Sequence, residues 1–162
     1  MKLSIWLASA VLCLTYLSAN AAPAKLPPAD EAAAFKAAGF KKKGAQWHQC
    51  EDPTPMYGPG GIEDVRDANG DGLPEVVITE GGTFCFGNTG TGFTLLSKQT
   101  NGTWKVMARS PGILQFLTTK GTGGWPDIEV GGPGFCFPVL RWNGKAYVIQ
   151  RHQYEGKACR RK

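Results

Sequence analysis

The chain is poor in the residues that enzymes recruit as nucleophiles and general bases. It has two histidines, His48 and His152, and beyond residue 21 its serines are Ser97 and Ser110. Neither serine sits in a Gly-x-Ser-x-Gly elbow, so serine hydrolysis is not expected. Gly131-Gly132-Pro133-Gly134 lacks the Gly-Lys-Ser/Thr ending of a phosphate loop, and no nucleotide site is supported. His48 beside Cys50, and His152 near Cys159, do not have the spacing of a zinc site. Long apolar runs are scarce too. The longest, Leu3 to Leu17, falls short of the roughly 20 residues that a membrane-spanning helix needs.

That run follows Lys2 and precedes Ala19-Asn20-Ala21, the small-x-small pattern at which signal peptidases cut. Residues 1–21 are therefore expected to be a signal peptide, and the product to be periplasmic or secreted, with no integral membrane segment. Cleavage after Ala21 removes Cys13 and leaves Cys50, Cys85, Cys136 and Cys159. An even set in an oxidising compartment predicts two disulfides, and sequence leaves all three pairings open. Residues 22–162 are enough for one core. The chain has 18 basic and 13 acidic residues, with clusters at Lys41 to Lys43 and Lys157 to Lys162. No aromatic residues interleave with the lysines, so these runs read as solvated surface, and no nucleic-acid partner is expected.

Residues 22–28 form a proline-rich leader, and 29–162 read as one disulfide-containing β domain. Asp30 is placed to cap a short alanine-rich helix over Glu31 to Ala38, ended by Gly39. Strand signals dominate thereafter: Ala45 to Cys50, Glu75 to Glu80, Thr83 to Gly87, Phe93 to Gln99, Thr103 to Arg109, Asp127 to Gly131, Phe135 to Trp142 and Lys145 to Arg151. Ile113 to Thr119 reads as a helical turn. Asn101-Gly102 and Asn143-Gly144 supply the positive backbone angles of tight hairpins.

What the chain does have is Asp67-Ala68-Asn69-Gly70-Asp71-Gly72-Leu73-Pro74-Glu75, leading into the apolar strand Val76-Val77-Ile78. Oxygen side chains spaced two apart on a glycine turn converge as a hard cation requires. Asp67, Asn69, Asp71 and Glu75 are the candidate side-chain ligands, Leu73 a carbonyl ligand, and calcium the expected ion. The frame Gly-x-Pro-acid returns at Gly124-Trp125-Pro126-Asp127 without the three earlier ligands. Phe84-Cys85-Phe86 likewise returns as Phe135-Cys136-Phe137. Two degenerate repeats, about 61–109 and 112–151, are therefore expected, with one metal-competent loop. Each Phe-Cys-Phe triplet suits an inner strand buried on both sides.

The segment Asp67 to Ile78 resembles the calcium loops of FG-GAP and VCBS-type repeats, where such an acidic turn precedes a short hydrophobic strand. By position, the resemblance implies the same ligand set. It is not an EF-hand, because Ile78 stands at the twelfth loop position and a strand follows. The chain from residue 22 also resembles small exported bacterial proteins, a likeness that implies no activity.

The expected architecture is mainly β: two antiparallel repeats packed as a sandwich or curved sheet, with a short N-terminal helix. The leading functional expectation is a non-catalytic binding domain, stabilised by calcium and disulfides, for a protein or glycan of the cell envelope. Trp125 and Trp142 are the candidate partner-binding aromatics. The rivals are an inhibitor of an envelope-targeting hydrolase and a carbohydrate-active enzyme. The enzyme reading rests on Glu80 and Glu129, near the ends of equivalent strands, as an acid pair.

Overall fold

The computed structural model describes residues 25–160, so the expected signal peptide and residues 22–24 of the proline-rich leader lie outside the described residues. The fold is mainly β. Helix α1 (Pro28–Ala37) precedes β1 (Lys41–Lys43), β2 (Gln46–His48), β3 (Gly58–Arg66), β4 (Glu75–Gly81), the short α2 (Thr83–Phe86), β5 (Thr91–Lys98) and β6 (Trp104–Pro111). The second half contributes β7 (Ile113–Lys120), β8 (Pro126–Gly131), β9 (Phe137–Trp142), β10 (Tyr147–Tyr154) and β11 (Lys157–Ala158). Two antiparallel sheets result, six strands in the order β1-β2-β3-β4-β5-β6 and five in the order β11-β10-β9-β8-β7.

Side-chain alternation on β4 explains how the layers stack. Val76 and Ile78 point to one face of the first sheet, where Phe35 of α1, Trp47, Leu96 and Trp104 complete a core. Val77 points the other way, with Phe93 and Leu95, into a second core with Ile128 and Val130 of β8. The first sheet is thus the middle layer, covered by α1 on one side and by the second sheet on the other. The chain crosses between sheets at Gly112, whose φ is 130° and whose missing Cβ would lie 2.6 Å from Val130 and 2.7 Å from the Gly131 carbonyl. Only glycine fits there.

Several local expectations are corrected. α1 starts at Pro28, whose fixed φ suits the first helical position, and Asp30 makes no cap. Asp30 instead pairs with Lys98 at 2.6 Å, pinning the helix to β5. Thr83 to Gly87 is no strand. Gly82, Gly87 and Gly90 all take positive φ, and Gly82 N–H donates to the Gly90 carbonyl, closing a compact excursion that contains α2. Phe135 and Cys136 also precede their strand, with Cys136 at φ 70°, so Phe84 (68 % exposed) and Phe135 (77 %) face solvent. Ile113 to Thr119 is strand β7, because pairing with β8 satisfies a β-branched and aromatic segment better than one isolated helical turn. The short strands β1 and β11, and the long glycine-rich β3, carried too little apolar alternation to be read in advance.

Both hairpins form, but only their glycines take the expected positive angle: Gly102 and Gly144 have φ of 81° and 94°, whereas Asn101 and Asn143 do not and instead accept backbone N–H bonds within their own turns. The disulfides pair Cys50 with Cys85 and Cys136 with Cys159, at Cα separations of 6.3 and 5.6 Å. Each bridge closes within one half of the molecule.

We expect no free thiol in the denatured, unreduced chain from residue 22 onward. Replacing either cysteine pair by serine should lower unfolding free energy by about 2–4 kcal/mol in a denaturant titration. Two titratable thiols per chain would contradict the pairing.

Candidate functional site

The 67–75 loop joins β3 to β4 and is organised by its own acids. Asp67 Oδ1 accepts N–H bonds from Gly70 (2.7 Å) and Asp71 (3.1 Å), and Oδ2 accepts one from Gly72 (2.9 Å). Asn69 Oδ1 accepts from Asp71 N–H at 2.8 Å, and Asp71 Oδ1 from Leu73 N–H at 2.8 Å. Asn69 Nδ2 donates to Asp71 Oδ2 at 3.0 Å. Gly70 and Gly72, at φ 84° and 83°, allow the tight path.

Glu75 stands apart. It is 1 % exposed at the start of β4; Oε2 accepts from Ala68 N–H at 2.7 Å, whereas the buried Oε1 has no hydrogen-bond partner. Burial pushes its carboxyl up to about 7, opposed by the Ala68 N–H and the Ser97 hydroxyl and reinforced by the charges of Asp71 and Asp67. Oxygen-only donors, mutual repulsion and an orphaned buried oxygen are the chemistry that suits calcium. Among the described residues, no three His, Cys, Asp or Glu side chains gather as a metal-holding group.

Trp125 and Trp142 are 8 % and 7 % exposed, so neither is an open stacking platform. Their centroids lie 5.8 Å apart, and Tyr147 completes the trio at 6.3 Å from Trp125 and 5.5 Å from Trp142. The rings close the end of the inter-sheet core beside the loop. Gly124 makes the approach possible, since a Cβ there would lie 2.7 Å from the Asn69 carbonyl.

Loop and aromatics meet across a cleft of about 230 Å³. One wall is Asn69, Asp71 and Leu73, and the other is Trp125 and Trp142, with Ser97, Gln99 and Lys105 between them. Lys105 Nζ stands 5.5 Å from the Trp142 ring centroid, near enough for a cation–π contact. Sequence reading named the two walls separately and missed Gln99 and Lys105. The Asn101-Gly102 turn was their one available signal, because it folds β6 back beside β5 and brings both residues to the same end.

Glu80 and Glu129 do not form an acid pair. By alternation Glu80 shares the α1 face of β4 with Val76 and Ile78, whereas Glu129 points away from the Ile128–Val130 side of β8. The first sheet and the inter-sheet core separate them. Glu80 Oε1 is held by the N–H groups of Gln49 (2.8 Å) and Cys50 (3.0 Å) and by the Tyr57 hydroxyl, tying β4 to the segment that carries the first disulfide.

No protein-family model, curated protein or solved structure matches the chain.

The Glu75 environment sets a pH dependence. A carboxyl raised in the folded state stabilises the fold fully below its unfolded value near 4.5, and that contribution is lost as pH rises through about 7. Without divalent ions, unfolding free energy should therefore fall by an amount on the order of 3 kcal/mol across this window, and Glu75→Gln should flatten the slope. Parallel pH profiles for wild type and variant would refute it.

Proposed function

We propose that the protein is an exported, non-catalytic binding domain whose ligand enters the cleft between the 67–75 loop and the Trp125–Trp142 pair. The observation that carries this reading is the cleft itself, which gathers the loop, aromatic edges, a cation and an amide at one end of the sheet interface. Its volume lies below the roughly 300 Å³ at which pockets for drug-sized molecules begin. It suits one sugar ring or one side chain, with Trp edges for apolar contact and Gln99, Asn69 and Lys105 for polar recognition. An envelope glycan, held by one of its sugar rings, fits those features best.

Calcium has a supporting role in this proposal. Asp67, Asn69, Asp71 and Glu75 supply side-chain oxygens, Leu73 a carbonyl, and the ion offsets the repulsion that Glu75 meets on ionising. At about 1 mM calcium and a dissociation constant near 0.1 mM, binding adds roughly 1.4 kcal/mol to stability. That is less than one disulfide contributes, so the ion stiffens the cleft wall without creating the fold.

Two measurements test the proposal. Calcium should raise the melting temperature and Asp71→Ala should abolish the rise; identical curves in calcium and in chelator would reduce the loop to a turn. Soluble envelope-glycan fragments, titrated into the folded protein, should shift the Trp125 and Trp142 indole resonances. Lys105→Ala should weaken that binding about tenfold with little change in melting temperature. Indole resonances that never move, or glycan turnover by the purified protein, would overturn the binding-domain reading.

A further inference from the structure

The outer face of the second sheet carries a charged cluster that the cleft does not use. Asp127 is fully buried, although it lies on the opposite side of β8 from Ile128 and the inter-sheet core. Arg141 on β9 grips both of its oxygens, Nε to Oδ1 at 2.9 Å and Nη2 to Oδ2 at 2.8 Å. Arg151 on β10 adds Nη1 to Oδ2 at 3.1 Å, and the Thr119 hydroxyl donates to the same oxygen at 2.5 Å. These donors, Arg141 foremost, outweigh burial and hold the Asp127 carboxyl down at about 2.

Two guanidiniums thus share one carboxylate. The second acid of the cluster, Glu129, is reached only through a neutral amide: Arg151 Nε donates to Gln153 Oε1 at 3.0 Å, and Gln153 Nε2 donates to Glu129 Oε2 at 2.7 Å. Donor capacity is left over, because a guanidinium carries five N–H groups. Among the described residues Arg141 Nη1 makes no hydrogen bond, and Arg151 Nη2 reaches only the Thr119 hydroxyl, at 3.5 Å. Both side chains stay about one third exposed, 34 % and 32 %. Their rotamers are already fixed by Asp127, so an incoming anion has little side-chain freedom to freeze.

We propose that Arg141 and Arg151 form a site on the outer face of the second sheet for an oxyanion group, carboxylate or phosphate, of a ligand. The free edge of Arg141 offers a two-pronged contact and Arg151 the second charge, an arrangement that matches the planar or tetrahedral oxygens of such groups. The site lies across the sheet from the Trp142 cleft and stands whether or not that cleft binds glycan.

The test follows the arginine Nε–Hε resonances of the folded, isotope-labelled protein while inorganic phosphate, or separately acetate, replaces chloride at matched ionic strength. Saturable shifts at Arg141 and Arg151 are expected. A phosphate response alone assigns a phosphoryl ligand, and an acetate response alone a carboxylate. Arg151→Gln leaves the two-bond Arg141–Asp127 grip intact and should weaken binding about tenfold. Glu129→Gln keeps both guanidiniums, removes the competing acid and should tighten it. Shifts no different from chloride, no weakening in Arg151→Gln, or weaker binding in Glu129→Gln would show that the arginines serve only the internal ion pairs.

Discussion

Burial of β4 on both faces is the constraint on which the rest of the structure depends. A half-buried strand needs one covering layer, but Val76, Val77 and Ile78 are all inaccessible, so this strand needs two. Each such side chain removed from water contributes roughly 1.5–3 kcal/mol. α1 alone is too short to be stable in isolation; it folds because Phe35, stacked on Trp47 at 4.9 Å, completes the cover of Val76 and Ile78. The second sheet in turn covers Val77, Phe93 and Leu95. Both carboxylates of β4, Glu75 and Glu80, are drawn into the interior with it, and each needs donors that other segments must supply.

Buried acids at the starts of β4 and β8 are handled in opposite ways. Asp127 meets two guanidiniums and a hydroxyl, which keep it ionised at any ordinary pH. Glu75 meets one backbone N–H and leaves an oxygen unpaired, which favours its protonated form. A buried carboxylate without compensation is costly, and arginine and a divalent cation are two remedies for the same charge. The difference makes the 67–75 end of the molecule sensitive to pH and, under the proposed function, to calcium. The Asp127 end carries its cations in the chain. The cleft, walled by the 67–75 loop and by Trp125 and Trp142, lies on the other side of the second sheet from the Asp127 cluster.

Composition and short-range pattern determined a good deal. The glycine-spaced acids, the two Asn-Gly hairpins, the even cysteine set and the mainly β character are local properties: backbone angles, side-chain spacing and β propensity act over a few residues and are legible there. The 67–75 loop could be named as a unit for the same reason. Where local signals competed, reading failed. Phe84-Cys85-Phe86 has strand propensity, but positive-φ glycines on both sides and the tether to Cys50 bend it into α2. Lys41 to Lys43 form a strand because pairing with Gln46 to His48 satisfies their backbone, a gain invisible in three lysines.

Only the tertiary structure decided which distant residues meet. That Cys50 joins Cys85 and Cys136 joins Cys159, that Trp125 and Trp142 turn inward, that Lys105 comes to the loop and that Glu80 and Glu129 are kept apart all follow from how the two sheets stack. Arg141 and Arg151 converge on Asp127 because β8, β9 and β10 are neighbours with a register shift between Ile149 and Arg151. Strand order and register arise from summed burial over the whole core, and a one-residue slip would send each of these side chains to the other face.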